Sequence, residues 1–139
     1  MLLPTNHGRC AILQRIRVEC QHCGHSTSLF ETEDPGKSVR KDLFRYLAEI
    51  KTTNRDEAYA LTQNGNPDLD NQTQTWAKDN RAYLTDEGKR LRDSVASQSL
   101  RSTSVGDIIV EPDGRAWMCE AMGWLRLVDQ GSEYLICEE

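Results

Sequence analysis

The chain has 139 residues, which is enough for one domain or for two small subdomains that share a core. Only 37% of the residues are hydrophobic and 28% are charged, so a large part of the surface must be polar. The net charge of −5 argues against nucleic-acid binding through an overall positive field, because phosphate contacts require clustered Lys and Arg side chains. The low hydrophobic content favours either extra surface loop or a core that is completed against a partner.

The beginning of the chain lacks the basic start and the long apolar run of a secretory signal, and no window has the length and hydrophobicity of a membrane span. Five cysteines, an odd number, are typical of reduced thiols in a cytosol rather than of a disulfide framework. We therefore expect a cytoplasmic protein without a membrane partner.

Residues 1–53 are predicted to form a subdomain made of a β-hairpin and a helix. Apolar and charged residues alternate toward the end of residues 11–19, which indicates a strand, and residues 28–32 are a short return strand. The clearest helix of the chain is predicted over residues 38–51. Its apolar stripe at helical spacing consists of Val39, Leu43, Leu47 and Ile50.

The same helical prediction creates a second, basic stripe. Lys37, Lys41 and Arg45 have the spacing i, i+4, i+8, so a helix would place them on one face. Such a stripe is usually a helix face that contacts only solvent. The other interpretation is that it binds an acidic partner. We predict that these three residues take part in partner binding.

Residues 54–100 are predicted to hold two short helices and a long polar loop. Asn54 and Glu57 resemble a capping box that opens a helix through residue 63, and Thr85 caps a second helix. Residues 62–75 are almost purely polar, so we expect an exposed loop that is mobile or functional. The loop residues predicted to bind a partner are Asn66, Asp68 and Asp70.

From residue 101 to residue 139 the pattern changes to a period of two. Four strand candidates follow one another at residues 107–111, 115–121, 124–128 and 133–137. Their connections are short, which forces neighbouring strands to be antiparallel. Together with the preceding helices they predict an α+β fold that ends in a four-stranded antiparallel meander. The three segments of the chain are expected to pack as one compact domain.

The one motif with a chemical signature begins at Cys20 and reads Cys-Gln-His-Cys-Gly-His. A Cys-x-x-Cys turn followed by glycine has the geometry of a zinc knuckle, because glycine permits the tight bend that turns both thiolates inward. A structural zinc ion needs four ligands, however, and the sequence has no second knuckle. We therefore expect no cofactor. The alternative is a zinc ion held by Cys20, Cys23 and one of His25, His22 or His7.

No arrangement of nucleophile, base and acid stands out in the sequence. The three histidines all fall within the first 25 residues, away from any candidate nucleophile. Paired carboxylates occur at predicted helix starts and at the chain end, where capping and solvation explain them. We therefore expect a protein without enzymatic activity.

A block in the last third of the chain resembles a pattern in proteins of phages, plasmids and integrative elements, which are described as YodL-like or as modules associated with large polyvalent proteins. The block reads Arg-Ser-Thr-Ser-Val-Gly-Asp-Ile-Ile at residues 101–109, Asp-Gly at 113–114, Trp117, and Gly-Trp at 123–124. An upstream Leu-Thr-Gln-Asn at residues 61–64 and Trp76 are similar to the same family. The resemblance covers roughly residues 54–128.

The resemblance implies a small cytosolic protein that a mobile element delivers. Such proteins often act against host defences by binding a larger complex, so the resemblance implies a non-enzymatic inhibitor of the anti-CRISPR kind. The expected partner is a host protein complex, such as a CRISPR surveillance complex, without direct contact to nucleic acid. The second hypothesis is a small zinc-binding module that binds nucleic acid through the Cys20 and Cys23 motif.

The residues of the block are themselves expected to act mainly as scaffold. Arg101 and Asp107 have opposite charges at the entry of a predicted strand, where they can form a bridge. Trp117 and Trp124 lie on neighbouring predicted strands and can pair across the sheet. Partner binding is then expected on the polar loop and on the basic stripe.

Overall fold

The computed structural model describes residues 8–16, 18–19, 26–27 and 37–137 of the chain. The elements are, in chain order, β1 (Cys10–Arg15), β2 (Val18–Glu19), β3 (Ser26–Thr27), β4 (Ser38–Arg40), β5 (Phe44–Ile50), α1 (Arg55–Leu61), β6 (Ala82–Leu84), α2 (Asp86–Asp93), β7 (Ile108–Val110), β8 (Ala116–Glu120), β9 (Gly123–Asp129) and β10 (Glu133–Ile136). Short 3-10 turns occupy Lys41–Leu43 and Trp76–Lys78. In this described part of the chain, no helix has both the length and the apolar character needed to cross a membrane.

Eight strands form one antiparallel sheet in the order β4-β10-β9-β8-β7-β1-β5-β6. β1 pairs with β5 on one side and with β7 on the other, so early and late parts of the chain share the sheet. β2 and β3 pair separately. The predicted α+β fold is therefore wrong, because only two short α-helices accompany this sheet among the described residues. The four predicted C-terminal strands exist as β7 to β10, but they are half of the eight-stranded sheet rather than a separate meander.

The sheet is curled, because residues from strands far apart in its order meet in one buried cluster. Val39 of β4 and Phe44 of β5 both belong to this cluster. β1 and the strands β7 to β10 contribute its other buried members, which are Ala11, Leu13, Ile108, Val110, Ala116, Met118, Leu127, Tyr134 and Ile136. Because the sheet curls, the apolar side chains on its inner face pack against one another and are shielded from water.

A second apolar cluster lies between the outer face of the sheet and the two helices. Ile12 belongs to this cluster, whereas its neighbours Ala11 and Leu13 belong to the interior of the curl, as the alternation of a strand requires. Trp76 is fully buried in the second cluster, and its Nε1 donates a hydrogen bond to Arg101 O at 2.9 Å. Both faces of the central strands are therefore covered.

The predicted helix over residues 38–51 is wrong, because this segment forms β4, a 3-10 turn and β5. The register between β1 and β5 shifts by one residue, which leaves Leu47 as an extra residue in β5. This bulge buries Leu47 and Ala48 in succession, and Phe44 is buried three positions earlier. The spacing of buried residues therefore imitates a helix. Leu43, which the helix would bury, is 42% exposed.

The two helices predicted in the central segment are present with their predicted caps. The Asn54 side chain accepts a hydrogen bond from Glu57 N at 3.1 Å, and Thr85 Oγ1 accepts one from Gly88 N at 3.0 Å. Gly88, a poor helix former, is required by packing. A Cβ atom at this position would lie 2.1 Å from Leu47 O, so the glycine lets α2 approach β5 closely.

Candidate functional site

The basic residues predicted to bind a partner do not form a single stripe. Lys41 Nζ lies 2.6 Å from Asp129 Oδ1, and this ammonium lowers the pKa of the Asp129 carboxyl. Arg45 Nε lies 3.7 Å from Glu87 Oε1 of α2, and Lys37 is exposed directly before β4. Lys41 and Arg45 are thus paired with acids on different elements. Their role in partner binding stays a prediction.

The polar loop over residues 62–75 is folded rather than extended into solvent. Leu69 at its centre is 5% exposed. The Asn66 side chain accepts a hydrogen bond from Asp68 N at 3.0 Å, and Asp70 Oδ2 accepts one from Asn80 N at 3.0 Å. Two of the three loop residues predicted to bind a partner therefore hold the loop backbone in place, while Asp68 is exposed.

An ion pair between Asp79 and Arg81 fixes the end of this loop. The Asp79 side chain is 1% exposed and accepts hydrogen bonds from Arg81 Nε at 2.8 Å and from Asp70 N at 3.1 Å. These hydrogen bonds, chiefly those from the Arg81 side chain, lower the pKa of the Asp79 carboxyl. Arg81 Nη2 also donates to Asp68 O at 2.9 Å, so the pair orders a loop whose sequence suggests mobility.

The metal-binding candidates Cys20, Cys23 and His25 lie outside the described residues. The strands on either side of them, β2 and β3, pair with each other. Cys10 is fully buried in the sheet, and burial raises the pKa of its thiol to about 12. Within the ranges that the structure describes, no three His, Cys, Asp or Glu side chains are grouped so that they could hold a metal ion.

An ion pair between Arg101 and Asp107 holds the block that resembles the mobile-element family. Arg101 Nη1 and Nη2 donate to Asp107 Oδ2 and Oδ1 at 2.6 and 2.8 Å, and the Asp107 side chain is 1% exposed. The same carboxylate accepts hydrogen bonds from the backbone of Ser104 and Arg15, both at 2.9 Å. The predicted bridge is confirmed, and it joins the block to the end of β1.

The upstream residues of the same resemblance are bonded to this block. The Asn64 side chain accepts a hydrogen bond from Trp76 N at 3.0 Å and donates one to Leu100 O at 2.8 Å. Thr62 Oγ1 donates to Thr103 Oγ1 at 2.7 Å, and both threonines are buried. These residues therefore bond to one another from the surface at Asn64 to the buried threonine pair, which supports their role as scaffold.

Side chains of α1, β8 and β9 meet at the surface. The guanidinium carbon of Arg55 lies 3.9 Å from the centre of the Trp117 ring and 5.8 Å from that of Trp124. The rings of Tyr59 and Trp124 are 6.2 Å apart and stand edge to face at 89°. Met122, in the turn between β8 and β9, is 93% exposed. We call these five residues the aromatic patch.

Carboxylates fix the orientation of the aromatic patch. Glu111 accepts hydrogen bonds from Trp117 Nε1 at 3.0 Å and from Arg55 N at 3.1 Å. Asp56 Oδ1 accepts one from Trp124 Nε1 at 2.8 Å. Both indole N–H groups are thus satisfied within the protein, and the rings are held in place before any partner binds.

A shallow pocket of about 240 Å³ opens beside the aromatic patch. The rings of Tyr59 and Trp124 line it, together with the carboxylates of Asp56 and Glu120. Cys119 also reaches the pocket. Burial raises the pKa of the Cys119 thiol to about 11, so its sulfur remains a neutral thiol at physiological pH and is a weak nucleophile.

The aromatic patch is not predicted by the sequence. Alternation makes Trp117 and Trp124 a candidate pair across the sheet, but the register places Arg126 opposite Trp117 and Cys119 opposite Trp124. The sequence does contain one indication of the patch, because Arg55 and Tyr59 are four positions apart and therefore share one face of the predicted helix. The strands that this face contacts cannot be predicted without the order of the strands in the sheet.

Comparisons with protein-family models, with curated proteins and with solved structures find no match for this chain. A functional proposal therefore depends on the surface chemistry of the described residues and on the resemblance of the motifs.

Proposed function

We propose that this chain is a non-enzymatic inhibitor, encoded by a mobile element, that binds a host defence complex of the CRISPR type. The observation that carries the proposal is the aromatic patch, which we propose as the contact surface. The choice of target follows from the resemblance of residues 61–64 and 101–124 to the mobile-element family.

The composition of the aromatic patch is that of an interface hot spot. Trp, Tyr, Arg and Met are enriched where proteins bind one another, whereas Lys, Glu and Ser are depleted there. The hydrogen bonds to the indoles of Trp117 and Trp124 hold the rings in place, so little side-chain entropy is lost on binding. Met122 adds a flexible apolar side chain at the tip of the β8–β9 hairpin.

The surfaces predicted from the sequence belong to the same proposal as further contacts. Lys41 and Arg45 are paired with acids of the protein itself, and the side chain of Asp70 holds loop backbone. Each would have to give up an internal contact in order to bind a partner. Of the aromatic patch, only Arg55 is paired with an acid, Glu111, and the side chains of Tyr59, Trp124 and Met122 can contact a partner without such an exchange. We therefore place the patch first.

The test is capture of purified CRISPR surveillance complexes by the tagged protein. Trp124→Ala removes the centre of the patch, and we expect it to weaken capture about thirtyfold or more, because truncation of a hot-spot residue costs about 2 kcal/mol or more. Tyr83→Ala is the matched control, since Tyr83 is another partly exposed aromatic residue, stacked against Arg9 at the β6 edge. The charge reversals Lys41→Glu and Arg45→Glu test the surface predicted from the sequence in the same assay.

Urea unfolding of every variant separates loss of binding from loss of the fold. Unchanged capture by Trp124→Ala, together with loss of capture in the charge-reversed variants, would refute the patch as the contact surface. Failure of the wild-type protein to capture any of the purified surveillance complexes would refute the proposal that a CRISPR complex is the target.

A zinc-dependent module that binds nucleic acid is the second candidate, and one observation favours it. β2 and β3, which precede and follow residues 20–25 in the chain, pair with each other, and the turn between two paired strands is a place where zinc knuckles are built. This candidate predicts about one zinc ion per chain and loss of folded structure on chelation. Metal analysis of the purified protein, with Cys20→Ser as the control, tests it. A stable protein free of zinc would refute it.

A further inference from the structure

We infer that the pocket beside the aromatic patch takes a basic side chain, Lys or Arg, of the protein partner. The inference rests on the proposed function, because it names the chemistry by which that partner is recognised. Two aromatic and two acidic residues line the pocket, and none of its lining residues among those that the structure describes is cationic. Its lining residues are Asp56, Tyr59, Cys119, Glu120, Ala121, Gly123 and Trp124.

The aromatic walls favour a cation. Tyr59 and Trp124 both line the pocket, and their rings are in edge-to-face contact at 89°. A cation within about 6 Å of a ring centre is attracted by the negative face of the ring. Arg55 shows this preference inside the protein, since its guanidinium carbon lies 5.8 Å from the Trp124 centre without lining the pocket.

The carboxylates favour a cation for an independent reason. Asp56 uses Oδ1 to accept the hydrogen bond from the Trp124 indole, which leaves Oδ2 for another donor. Glu120 is half-buried at the end of β8 and forms no ion pair with the part of the chain that the structure describes. A guanidinium or an ammonium group forms charge-assisted hydrogen bonds with such carboxylates. The net charge of −5 also favours the approach of a basic segment.

Other side chains fit the pocket less well. An acidic side chain would be repelled by Asp56 and Glu120, because like charges a few ångströms apart disfavour each other. A purely apolar side chain would cover the rings of Tyr59 and Trp124 but would desolvate the carboxylates without compensation. Only a basic side chain combines an aliphatic stem for the rings with a charge for the acids.

The experiment titrates the full chain with N-acetyl-arginine amide and with N-acetyl-lysine amide. Binding is followed by the nitrogen–proton NMR signal of the Trp124 indole, which is assigned by its loss in Trp124→Phe. N-acetyl-citrulline amide is the control ligand, because it has nearly the shape of arginine without the charge. We expect saturable shifts with the two basic ligands, no saturable shift with citrulline, and weaker binding as the salt concentration rises.

Glu120→Gln removes one carboxylate of the pocket without changing its size. We expect this variant to bind both basic ligands about threefold more weakly or worse, the effect of one exposed ionic contact. Glu133→Gln is the matched control, because Glu133 is another partly buried acid, on β10. Equal binding of arginine and citrulline ligands, or unchanged affinity in Glu120→Gln, would overturn the inference.

The free ligands separate this inference from the proposed function. If Trp124→Ala abolishes capture of the host complex but no basic ligand binds, the contact surface stands and the inference fails. If the basic ligands bind while Trp124→Ala captures the complex normally, the pocket does bind basic side chains, but the aromatic patch is not the surface that contacts this complex.

Discussion

Replacement of Asp107 by asparagine is expected to lower the free energy of unfolding by about 3–5 kcal/mol, the usual cost of breaking a buried ion pair. The Asp107 side chain is 1% exposed, and its oxygens accept hydrogen bonds from both Nη atoms of Arg101 and from the backbone of Ser104 and Arg15. Asparagine keeps the size, but its amide group presents hydrogens to one of these donors and leaves the guanidinium uncompensated. The total free energy of unfolding of a single domain is about 5–15 kcal/mol, so this loss is a large fraction of it.

Urea unfolding followed by tryptophan fluorescence measures this loss. Asp42→Asn is the matched control, because Asp42 also pairs with an arginine, Arg40, but the two side chains are 63% and 67% exposed. Solvent screens an ion pair as exposed as this one, so the control should unfold almost like the wild type. The difference between the two variants isolates the effect of burial.

A loss of less than about 1 kcal/mol in Asp107→Asn, the range of an exposed pair, would refute the scaffold role of the family-like block. If that stable variant also failed to capture the host complex, the block would be a binding site instead. An equally large loss in Asp42→Asn would show that burial is not the cause.

Three further predictions concern two substitutions and the reactivity of one thiol. Gly88→Ala should destabilise the protein by about 1–3 kcal/mol, although alanine is the better helix former, because its Cβ would lie 2.1 Å from Leu47 O. Asp79→Asn should lower the free energy of unfolding by about 1–3 kcal/mol at pH 7, because Asp79 accepts charge-assisted hydrogen bonds from Arg81. Since the folded state lowers the pKa of Asp79, this contribution is complete above the unfolded pKa of about 3.9 and disappears as the pH falls through the folded pKa. The thiol of Cys10, with its pKa raised to about 12 by burial, should resist iodoacetamide at pH 8 until the protein unfolds.

Each of these expectations has a control in the same assay. Lys89→Ala, at the exposed position next to Gly88, should change the stability by less than about 0.5 kcal/mol, and a stabilising Gly88→Ala would contradict the close approach of α2 to β5. A stability difference between wild type and Asp79→Asn that stays constant from pH 7 to pH 2 would contradict the role of its charge. Peptide mass spectrometry resolves the individual thiols, and rapid labelling of Cys10 in native protein would contradict its burial.

Signals between near neighbours in the sequence predicted the elements that depend on them. The caps Asn54 and Thr85 bond to backbone groups three positions away, and both helices begin where these residues indicate. The strands β7 to β10 follow one another through short turns, so alternation and turn residues were sufficient to place them. Such contacts are set by the local sequence and need no knowledge of the rest of the fold.

The segment over residues 38–51 could not be predicted in this way. β5 is held between β1 and β6, and its bulge at Leu47 is fixed by the register with Ile12 and Leu13. A bulge removes the period of two from which a strand is recognised, and the remaining spacing matched a helix. The order of the strands, which makes the sheet curl, likewise depends on pairings between distant residues.

The family-like block and the proposed contact surface meet at β7. Asp107 directly precedes this strand of three residues, and Glu111 directly follows it. The ion pair of Asp107 fixes where β7 begins, and Glu111 at its other end accepts the hydrogen bonds that orient Trp117 and Arg55. The buried ion pair and the carboxylate that orients the aromatic patch are therefore only one short strand apart in the chain.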